Sequence, residues 1–370
     1  MRANEVLFSP YQLNNLSLPN RVVMAPMTRS FSPDGVPTDE VAAYYRRRAE
    51  GGVGLIITEA TGINRLASVN EPNVPVFYGE AALAGWKKVV DEVHSAGGKI
   101  MPQLWHVGMK RSIFYPEWQG DAEFEGPSGL SVSGERVNAP MNDAAIADTI
   151  DAFADAAVEA ECLGFDGVEL HGGHSYLINQ FFFDHLNLRK DRWGGKSLLE
   201  RSRFAIEVLK AIRARVRKDF PILFRFSQWK PQAFDTRIAE TPEILGRWLN
   251  ALADAGVDAF DCSQRHYWDA AFPEADKTLN MAGWAKKLTG MPSIAVGAAG
   301  LSGDVFSSLK GKYFPAAPLD PLLERLENGE FDLMMVGRPL LQDPHWLQKI
   351  RLEQFDQLKG FNVDALKVLD

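Results

Sequence analysis

Cysteine is scarce in this chain of 370 residues, and its two cysteines set the first limits on the class of protein. Cys162 and Cys262 have no second cysteine nearby, which excludes a disulfide framework, a zinc knuckle and an iron–sulfur cluster. We expect both to be buried, unreactive thiols. This cysteine usage is typical of a reducing, cytoplasm-like compartment, and we expect a cytoplasmic protein.

The chain also lacks a long apolar run and an excess of positive charge. No stretch approaches about 18 uninterrupted apolar residues, and no basic segment leads into an apolar run at the start, so neither a membrane span nor a secretory signal is predicted. Acidic residues outnumber basic ones by 48 to 40, and the densest basic cluster is Arg46, Arg47 and Arg48. This distribution disfavours a nucleic-acid or anionic-membrane surface.

Short apolar runs are present and recur along the chain, each followed by a loop and an amphipathic segment of helical length. This alternation predicts parallel strands joined by helices. Eight such runs without a break in composition predict an α/β protein with a (β/α)8 TIM barrel. A doubly wound sheet would need fewer strands and a glycine-rich first turn. The predicted strands are Arg21–Met24, Leu55–Thr58, Lys99–Gln103, Gly167–Leu170, Ile222–Phe226, Ala259–Cys262, Ser293–Val296 and Leu333–Val336.

Helical patterns fill the intervals between these strands. Thr38, Asn142 and Thr241 stand where N-caps are expected, because their side chains can accept a hydrogen bond from the first turn. The predicted helices are at about Thr38–Glu50, Glu80–Ser95, Asp143–Leu163, Leu198–Lys218, Thr241–Ala255, Leu279–Leu288 and Leu319–Asn328.

We predict one domain over residues 1–370, in which Leu7–Pro19 forms a hairpin that closes the bottom of the barrel. Two loops exceed ordinary connection lengths. The loop 105–141 leaves the third strand on the expected catalytic face, contains several aromatic residues and is a candidate lid. The segment 301–318 contains two lysines and a tyrosine, and contact with a phosphate, with a partner subunit or with neither stays open.

The turn after the fourth strand carries His171, His174 and Tyr176. Catalytic groups of a barrel lie at the C-terminal ends of its strands, and the glycines between the histidines permit a sharp bend. A pair of neutral imidazoles can donate to one carbonyl or phenolate oxygen, and a protonated tyrosine can act as an acid. A metal site is disfavoured because carboxylate or cysteine partners are missing nearby, and a purely structural pair is the remaining alternative.

Other strand ends carry polar groups that suit a flat, hydrogen-bonding heterocycle. A hydroxyl, a carboxamide and a guanidinium can meet its carbonyls and ring nitrogens, and a fixed positive charge favours its reduced, anionic state. The residues at these strand ends are Pro26, Met27, Thr28, Ala60, Gln103 and Arg225.

The loops after the last two strands are candidates for a phosphate site. Barrels often bind phosphate there through backbone N–H groups, and glycines allow a close approach. Gly297, Gly300 and Gly337 lie in these loops, and Arg338 adds a guanidinium. No G-x-G-x-x-G fingerprint follows a strand near the start of the chain, so a nicotinamide cofactor would have to enter the same barrel mouth.

Taken in order, these motifs resemble the Old Yellow Enzyme family of flavin-dependent NAD(P)H oxidoreductases. The resemblance runs through residues 20–29, 57–62, 103–108, 171–181, 191–195 and 336–339, and so spans nearly the whole chain. It implies a (β/α)8 barrel that holds FMN, is reduced by NADPH or NADH, and then reduces the C=C bond of an activated alkene such as an α,β-unsaturated carbonyl compound. It leaves open which nicotinamide is used and whether the protein is a homo-oligomer.

The resemblance also implies a role for each candidate residue. Thr28 would bond the O4 region of the flavin, Ala60 and Gln103 would contact the ring, and Arg225 would lie near N1 and the C2 carbonyl. Pro26 and Met27 would line the ring, and Gly297, Gly300, Gly337 and Arg338 would approach the phosphate. His171 and His174 would hold the substrate carbonyl while flavin N5 delivers hydride to the β carbon. Tyr176 would protonate the α carbon, and the kinetics would be ping-pong.

Three positions depart from the family pattern. His174 stands where many relatives carry asparagine, Thr28 stands where one subgroup carries cysteine, and residues 307–318 read as an insertion. Aromatic residues in the loop 262–273, with Trp105 and Trp229, either line the substrate site or only pack against neighbouring loops.

Two other readings compete with alkene reduction. One is a flavoenzyme that desaturates or demethylates its substrate. The other is a non-redox lyase or isomerase for a phosphorylated carbonyl compound, with Tyr176 as the acid and Arg338 binding the phosphate.

Overall fold

Eight parallel strands close into a barrel in the computed structural model, which describes residues 2–118, 120, 122–231 and 233–370. The order around the barrel is β10-β3-β4-β5-β6-β7-β8-β9. The predicted (β/α)8 barrel is confirmed, and every predicted strand overlaps an observed one. The barrel strands are β3 Val22–Met24, β4 Leu55–Gly62, β5 Ile100–Trp105, β6 Val168–His171, β7 Ile222–Ser227, β8 Ala259–Ser263, β9 Ser293–Val296 and β10 Leu333–Val336.

A two-stranded hairpin precedes the barrel, as predicted. Its strands, β1 Tyr11–Leu13 and β2 Leu16–Leu18, pair antiparallel through Leu13 and Leu16. Both of these leucines and Leu18 pack against the apolar residues of the barrel interior, including Leu55 and Met101. The hairpin therefore closes the end of the barrel opposite the catalytic face, and its contribution is burial of apolar surface.

Helices cover the outside of the barrel. The predicted caps are confirmed: Thr38, Asn142 and Thr241 each accept a hydrogen bond from the backbone three residues later. The helices are α1 Arg2–Leu7, α2 Asp39–Glu50, α3 Glu80–Ser95, α4 Asp143–Leu163, α5 Leu177–Phe182, α6 Leu198–Arg201, α7 Arg203–Arg215, α8 Pro242–Ala255, α9 Met281–Thr289, α10 Val305–Leu309, α11 Asp320–Glu327, α12 Arg338–Gln342 and α13 Trp346–Arg351. Short 3-10 turns occur at Pro33–Gly35, Leu66–Ser68, Phe355–Gln357 and Val363–Lys367.

The helix predicted over Leu198–Lys218 is instead two helices. Ser202 separates α6 from α7, and its hydroxyl donates to the carbonyl of Leu198 at 2.7 Å, a local bond that competes with regular helix geometry. The second helix ends at Arg215 because Val216 adopts an extended conformation. The amphipathic pattern located the helical region, while its ends were set by local hydrogen bonds.

The expectation that both cysteines are buried is wrong for one of them. Cys262 lies buried in β8, but Cys162 is exposed on α4. The face of α4 that packs inward carries Ala156, Ala157 and Ala160, and Cys162 lies outside it. Over the described ranges of the chain, none of the helices is both long and apolar enough to cross a bilayer.

The basic cluster of α2 does not form a basic patch. The side chain of Arg48 is fully buried, its guanidinium donates to the carbonyls of Tyr44 and Leu340, and it lies 3.7 Å from the ring centroid of Tyr44. Arg46 is half-exposed and forms ion pairs with Glu50 and Glu92. Of the three consecutive arginines, Arg48 therefore connects α2 to α12 through a hydrogen bond to the carbonyl of Leu340.

Replacing Arg48 by methionine should lower the free energy of unfolding by about 3 kcal/mol, because several buried carbonyls would lose a charged donor. The matched control is Arg46→Met, which removes only exposed ion pairs and should change stability little. Urea unfolding followed by circular dichroism measures both. Equal losses in the two variants would contradict the assigned role of Arg48.

Candidate active site

A cavity opens at the C-terminal ends of the barrel strands, and predicted residues line it. They are Pro26, Thr28, Ala60, Gln103, His171, His174, Tyr176 and Arg225. A larger cavity of about 880 Å³ lies on the outer side, between the region of α5 and α6 and the start of α8. Its lining holds none of these side chains, so the cavity at the barrel mouth is the candidate active site.

A tight turn after β6 presents the histidines and the tyrosine. His174 and Ser175 both adopt left-handed backbone conformations, with φ of 58° and 66°. Ser227 Oγ accepts the His174 N–H at 3.1 Å, and Asn179 Oδ1 accepts the Ser175 N–H at 2.8 Å. A Cβ at Gly172 would stand 2.3 Å from Phe224 Cζ, so the turn also requires glycine there. Backbone strain of this kind is typical of functional sites.

Hydrogen bonds favour one tautomer for His171. Its Nδ1 accepts the Gly173 N–H at 3.3 Å, so the proton of the neutral ring lies on Nε2, which is 3.4 Å from His174 Nδ1. His174 Nε2 is 2.7 Å from the hydroxyl of Ser263, which can donate or accept. Burial lowers the pKa of both histidines well below the usual value, and the charge of Arg225 acts in the same direction. Both rings are therefore neutral at pH 7.

Tyr176 stands among aromatic and cationic groups. Its ring packs edge-on against Trp105 and His171, at 5.0 and 4.8 Å between centroids. The ammonium of Lys110 lies 4.0 Å from the centre of the same ring. Burial raises the pKa of Tyr176 above its ordinary value, with a further contribution from Glu71. The hydroxyl therefore keeps its proton at neutral pH and is able to act as an acid.

A layer of buried polar side chains lies directly beneath the cavity. Each of these side chains stands two residues after an apolar residue of the barrel interior on the same strand. The pairs are Met101 and Gln103, Leu223 and Arg225, and Ala259 and Asp261. Because side chains alternate along a strand, these polar groups also point inward, one layer nearer the mouth.

Glu169 joins this layer from β6. Gln103 Nε2 donates to Glu169 Oε1 at 2.8 Å, and Arg225 Nη1 donates to Asp261 Oδ2. Burial raises the pKa of both carboxyls, and Glu169 and Asp261 hydrogen-bond to each other. If both carboxyls are ionised, Glu169 Oε2 and Asp261 Oδ1 each lack a hydrogen-bond donor among the described residues. A proton held on Glu169 and donated to Asp261 supplies the missing bond, and leaves one negative charge to balance Arg225.

The predicted phosphate residues Gly297, Gly300, Gly337 and Arg338 are not among the residues that line this cavity. Gly297 and Gly300 have positive φ of 135° and 73°, and a Cβ at Gly337 would stand 3.3 Å from Met27 Sδ. Met27 therefore reaches from the first strand end toward these loops. Arg338 donates to the carbonyls of Gly303 and Asp304 and to Ser308 Oγ, so its hydrogen bonds in this structure go to the segment 303–308.

Aromatic side chains pack beside His174. Trp229 lies 5.0 Å from its ring, and Phe234 and Phe306 pack against Trp229. Phe306 comes from α10, so the segment 301–318 reaches the neighbourhood of the site. In the loop 262–273, Phe272 is buried, whereas Trp268 is exposed.

Sequence reasoning missed several residues of this neighbourhood. Asp261 and Ser263 lie at the C-terminal end of the sixth predicted strand. Polar residues at that end of a barrel strand are expected near the active site, so their position could have identified them. An acidic residue within an apolar run, as at Glu169, is another such signal. Lys110 had no signal, because it belongs to an irregular loop whose path no periodicity predicts.

Comparison with known proteins agrees with the geometry. The model of the NADH:flavin oxidoreductase / NADH oxidase family matches residues 6–304, and the chain belongs to this family, known also as the Old Yellow Enzyme family. 12-Oxophytodienoate reductase 7 of Oryza sativa subsp. japonica is 31% identical over 367 residues, covering 94% of this chain and 88% of that protein.

Two solved structures share the fold over almost their whole length. Morphinone reductase, solved in complex with tetrahydroNAD, is 28% identical with a TM-score of 0.79, and the match covers 97% of this chain and 93% of that one. The Old Yellow Enzyme homologue from Zymomonas mobilis is 26% identical with a TM-score of 0.77, covering 97% and 96%.

The protein is accordingly an NAD(P)H-dependent flavin oxidoreductase with FMN as its cofactor. The polar groups of its cavity suit a flavin ring: among the described residues, no hydrogen bond engages the Thr28 hydroxyl, and Arg225 uses only one of its three nitrogens. Donors left unused at a buried cavity match the carbonyls and nitrogens along a flavin edge. This membership argues against the non-redox lyase or isomerase.

Removing either buried carboxyl should have unequal effects. Asp261→Asn deprives a buried guanidinium of its counter-ion and should lower the free energy of unfolding by about 3 kcal/mol. Glu169→Gln keeps an N–H donor toward Asp261 and should lower it much less. Urea unfolding at one fixed FMN concentration compares the two, and a larger loss for Glu169→Gln would place the proton on Asp261 instead.

Proposed function

We propose that this flavoenzyme reduces the C=C bond of α,β-unsaturated carbonyl compounds with electrons from NADPH or NADH. The observation that carries the proposal is the neutral His171–His174 pair beside a protonated Tyr176. These side chains line one cavity together with Thr28, Gln103 and Arg225. Relatives named 12-oxophytodienoate reductase and morphinone reductase carry names consistent with reduction of unsaturated ketones.

The histidine pair would hold the carbonyl oxygen. His171 Nε2–H makes only a long contact with His174, at 3.4 Å, and can exchange it for a shorter bond to a ligand oxygen. When the ligand oxygen replaces that contact and Ser263 donates to His174 Nε2, the proton of His174 lies on Nδ1 and is available to the same oxygen. Two donors on one oxygen draw electron density from the conjugated alkene and stabilise negative charge as it develops.

Tyr176 would supply the proton. When bound, FMN supplies hydride transfer from the nicotinamide to the alkene. The α carbon then needs a proton, and the Tyr176 hydroxyl, protonated because of its burial, stands beside the histidine pair. Because nicotinamide and alkene would use the same cavity in turn, the kinetics would be ping-pong.

The remaining assignments complete the proposal. Pro26, Met27, Thr28, Ala60, Gln103 and Arg225 would hold the flavin ring. The loops that carry Gly297, Gly300 and Gly337 would approach its phosphate, and Arg338 would join them by exchanging its bonds to residues 303–308. We further propose one FMN-binding domain over residues 1–370, with the loop 105–141 as a lid, the segment 301–318 beside the site, and a cytoplasmic location.

Stopped-flow kinetics of Tyr176→Phe test the proposal. The variant keeps the ring and its packing but lacks the acidic hydroxyl, so reoxidation of the reduced flavin by 2-cyclohexenone should slow by about 100-fold, in the range of general acid catalysis. Reduction of the flavin by NADPH should change much less. Equal slowing of both half-reactions would contradict the role of Tyr176, and an enone that fails to reoxidise the wild-type flavin would contradict the proposed function.

A further inference from the structure

Lys110 places a cation beside His174 and Tyr176, two residues that line the candidate active site, and this position is called the rim of the site. It lies in the loop that follows β5, and its Nζ donates to the carbonyl of His174 at 3.0 Å. The same ammonium lies 4.0 Å from the ring centre of Tyr176. One ammonium group thus contacts the backbone of a residue proposed to hold the substrate carbonyl and the ring of the residue proposed to supply the proton.

The ammonium has no carboxylate partner within the described part of the chain. Its single hydrogen bond satisfies one of three N–H donors, and it takes part in no ion pair there. Glu71 acts on it through space, but the Glu71 carboxylate is engaged with Ser112 Oγ at 2.7 Å. Ammonium groups removed from water without a counter-ion are energetically unfavourable, so the arrangement favours an anionic ligand.

Glu71 acts on Lys110 through space without forming an ion pair, and the other charges of the residues that line the cavity are balanced or absent. Arg225 is paired with Asp261, the two histidines are neutral, and Tyr176 is protonated. Within the described ranges of the chain, Lys110 is therefore left as the positive charge at the rim that a ligand can neutralise. A carbonyl oxygen and an aromatic face stabilise an ammonium less than a carboxylate does in a site shielded from water.

We propose that Lys110 binds a carboxylate carried by the substrate, so that the enzyme selects anionic unsaturated carbonyl compounds over their neutral counterparts. This inference rests on the proposed alkene reduction and narrows its substrate class. Lys110 is then a specificity-determining residue, and its loop links substrate charge to the position of Tyr176.

The charge of Lys110 gives this selection a characteristic pH dependence. Burial lowers the pKa of Lys110 to about 8, with Glu71 opposing the shift. The histidine pair titrates well below that pH, and burial raises the pKa of Tyr176. Burial also raises the pKa of Glu71, and that of Glu59 to about 7, but these carboxyls gain negative charge as the pH rises, whereas Lys110 loses its positive charge near pH 8. For an anionic substrate, kcat/KM should therefore fall through about pH 8.

The test compares 4-oxo-2-pentenoate with its methyl ester, using the FMN-loaded enzyme. In Lys110→Met, the ratio of kcat/KM for the acid to that for the ester should fall by about tenfold or more, the effect of losing one charge-assisted hydrogen bond. Lys110→Arg should restore most of the ratio. In the wild type, the acid should lose kcat/KM above about pH 8 and the ester should not.

Binding and control measurements separate this effect from a general disturbance. The affinity for the saturated analogue 4-oxopentanoate, measured by calorimetry, should weaken in Lys110→Met by about the same factor. Lys87→Met, which removes an exposed lysine paired with Asp91 on α3, should change neither quantity. If Lys110→Met fails to retain FMN, Lys110→Gln replaces it, and the wild-type pH profile tests the charge without any substitution.

Three results would overturn the inference. The first is an acid-to-ester ratio of kcat/KM that does not change in Lys110→Met. The second is a wild-type kcat/KM for the acid that does not change across pH 8. The third is an affinity for 4-oxopentanoate that the substitution does not change. If 2-cyclohexenone is still reduced in that case, alkene reduction stands and only the carboxylate selection fails. If no enone reoxidises the reduced flavin, the proposed function itself fails.

Discussion

The buried charge of Arg225 is the constraint on which the rest of the site depends. Its guanidinium lies within the barrel, where an unbalanced charge would be strongly unfavourable, and Asp261 on the neighbouring strand provides the counter-ion. The hydrogen bond between Asp261 and Glu169, and that between Glu169 and Gln103, extend this pair into a network across four strands. The network fixes the polar surface on which a flavin ring would rest.

The same charge contributes to the protonation state of the two histidines that line the cavity. Arg225 helps to keep His171 and His174 neutral, in addition to their burial. Neutral imidazoles can be aligned by Gly173 and Ser263 into donors for one oxygen, whereas two imidazolium groups would repel each other. Tyr176 is held protonated beside them. The arrangement suits a reaction in which negative charge develops on a carbonyl oxygen and a proton is added to carbon.

The sequence predicted the barrel well because its signals are local and repeated. Buried parallel strands read as short apolar runs, and helix caps such as Thr38 and Asn142 depend on residues three positions apart. The site residues at the strand ends could be predicted from the sequence for the same reason, because the barrel topology brings the C-terminal ends of the strands together. Their roles toward FMN came from the family resemblance, and they stay proposals.

Other features depend on contacts between distant segments, and sequence patterns do not report these. Lys110 reaches His174 and Tyr176 from an irregular loop, and Arg48 is buried because α12 covers it. Cys162 was misplaced because the prediction used the average behaviour of cysteine rather than its position on the helix. The turn at Ser202 was missed because a single side-chain hydrogen bond decides it.

The most direct test of the account is the visible spectrum of the purified protein under anaerobic conditions, before and after NADPH and then after a cyclic enone. The account predicts flavin absorption bands that NADPH bleaches and the enone restores. Bands that NADPH bleaches but no enone restores would contradict alkene reduction. A protein that neither contains nor takes up FMN would contradict the assignment of the barrel mouth as a flavin site.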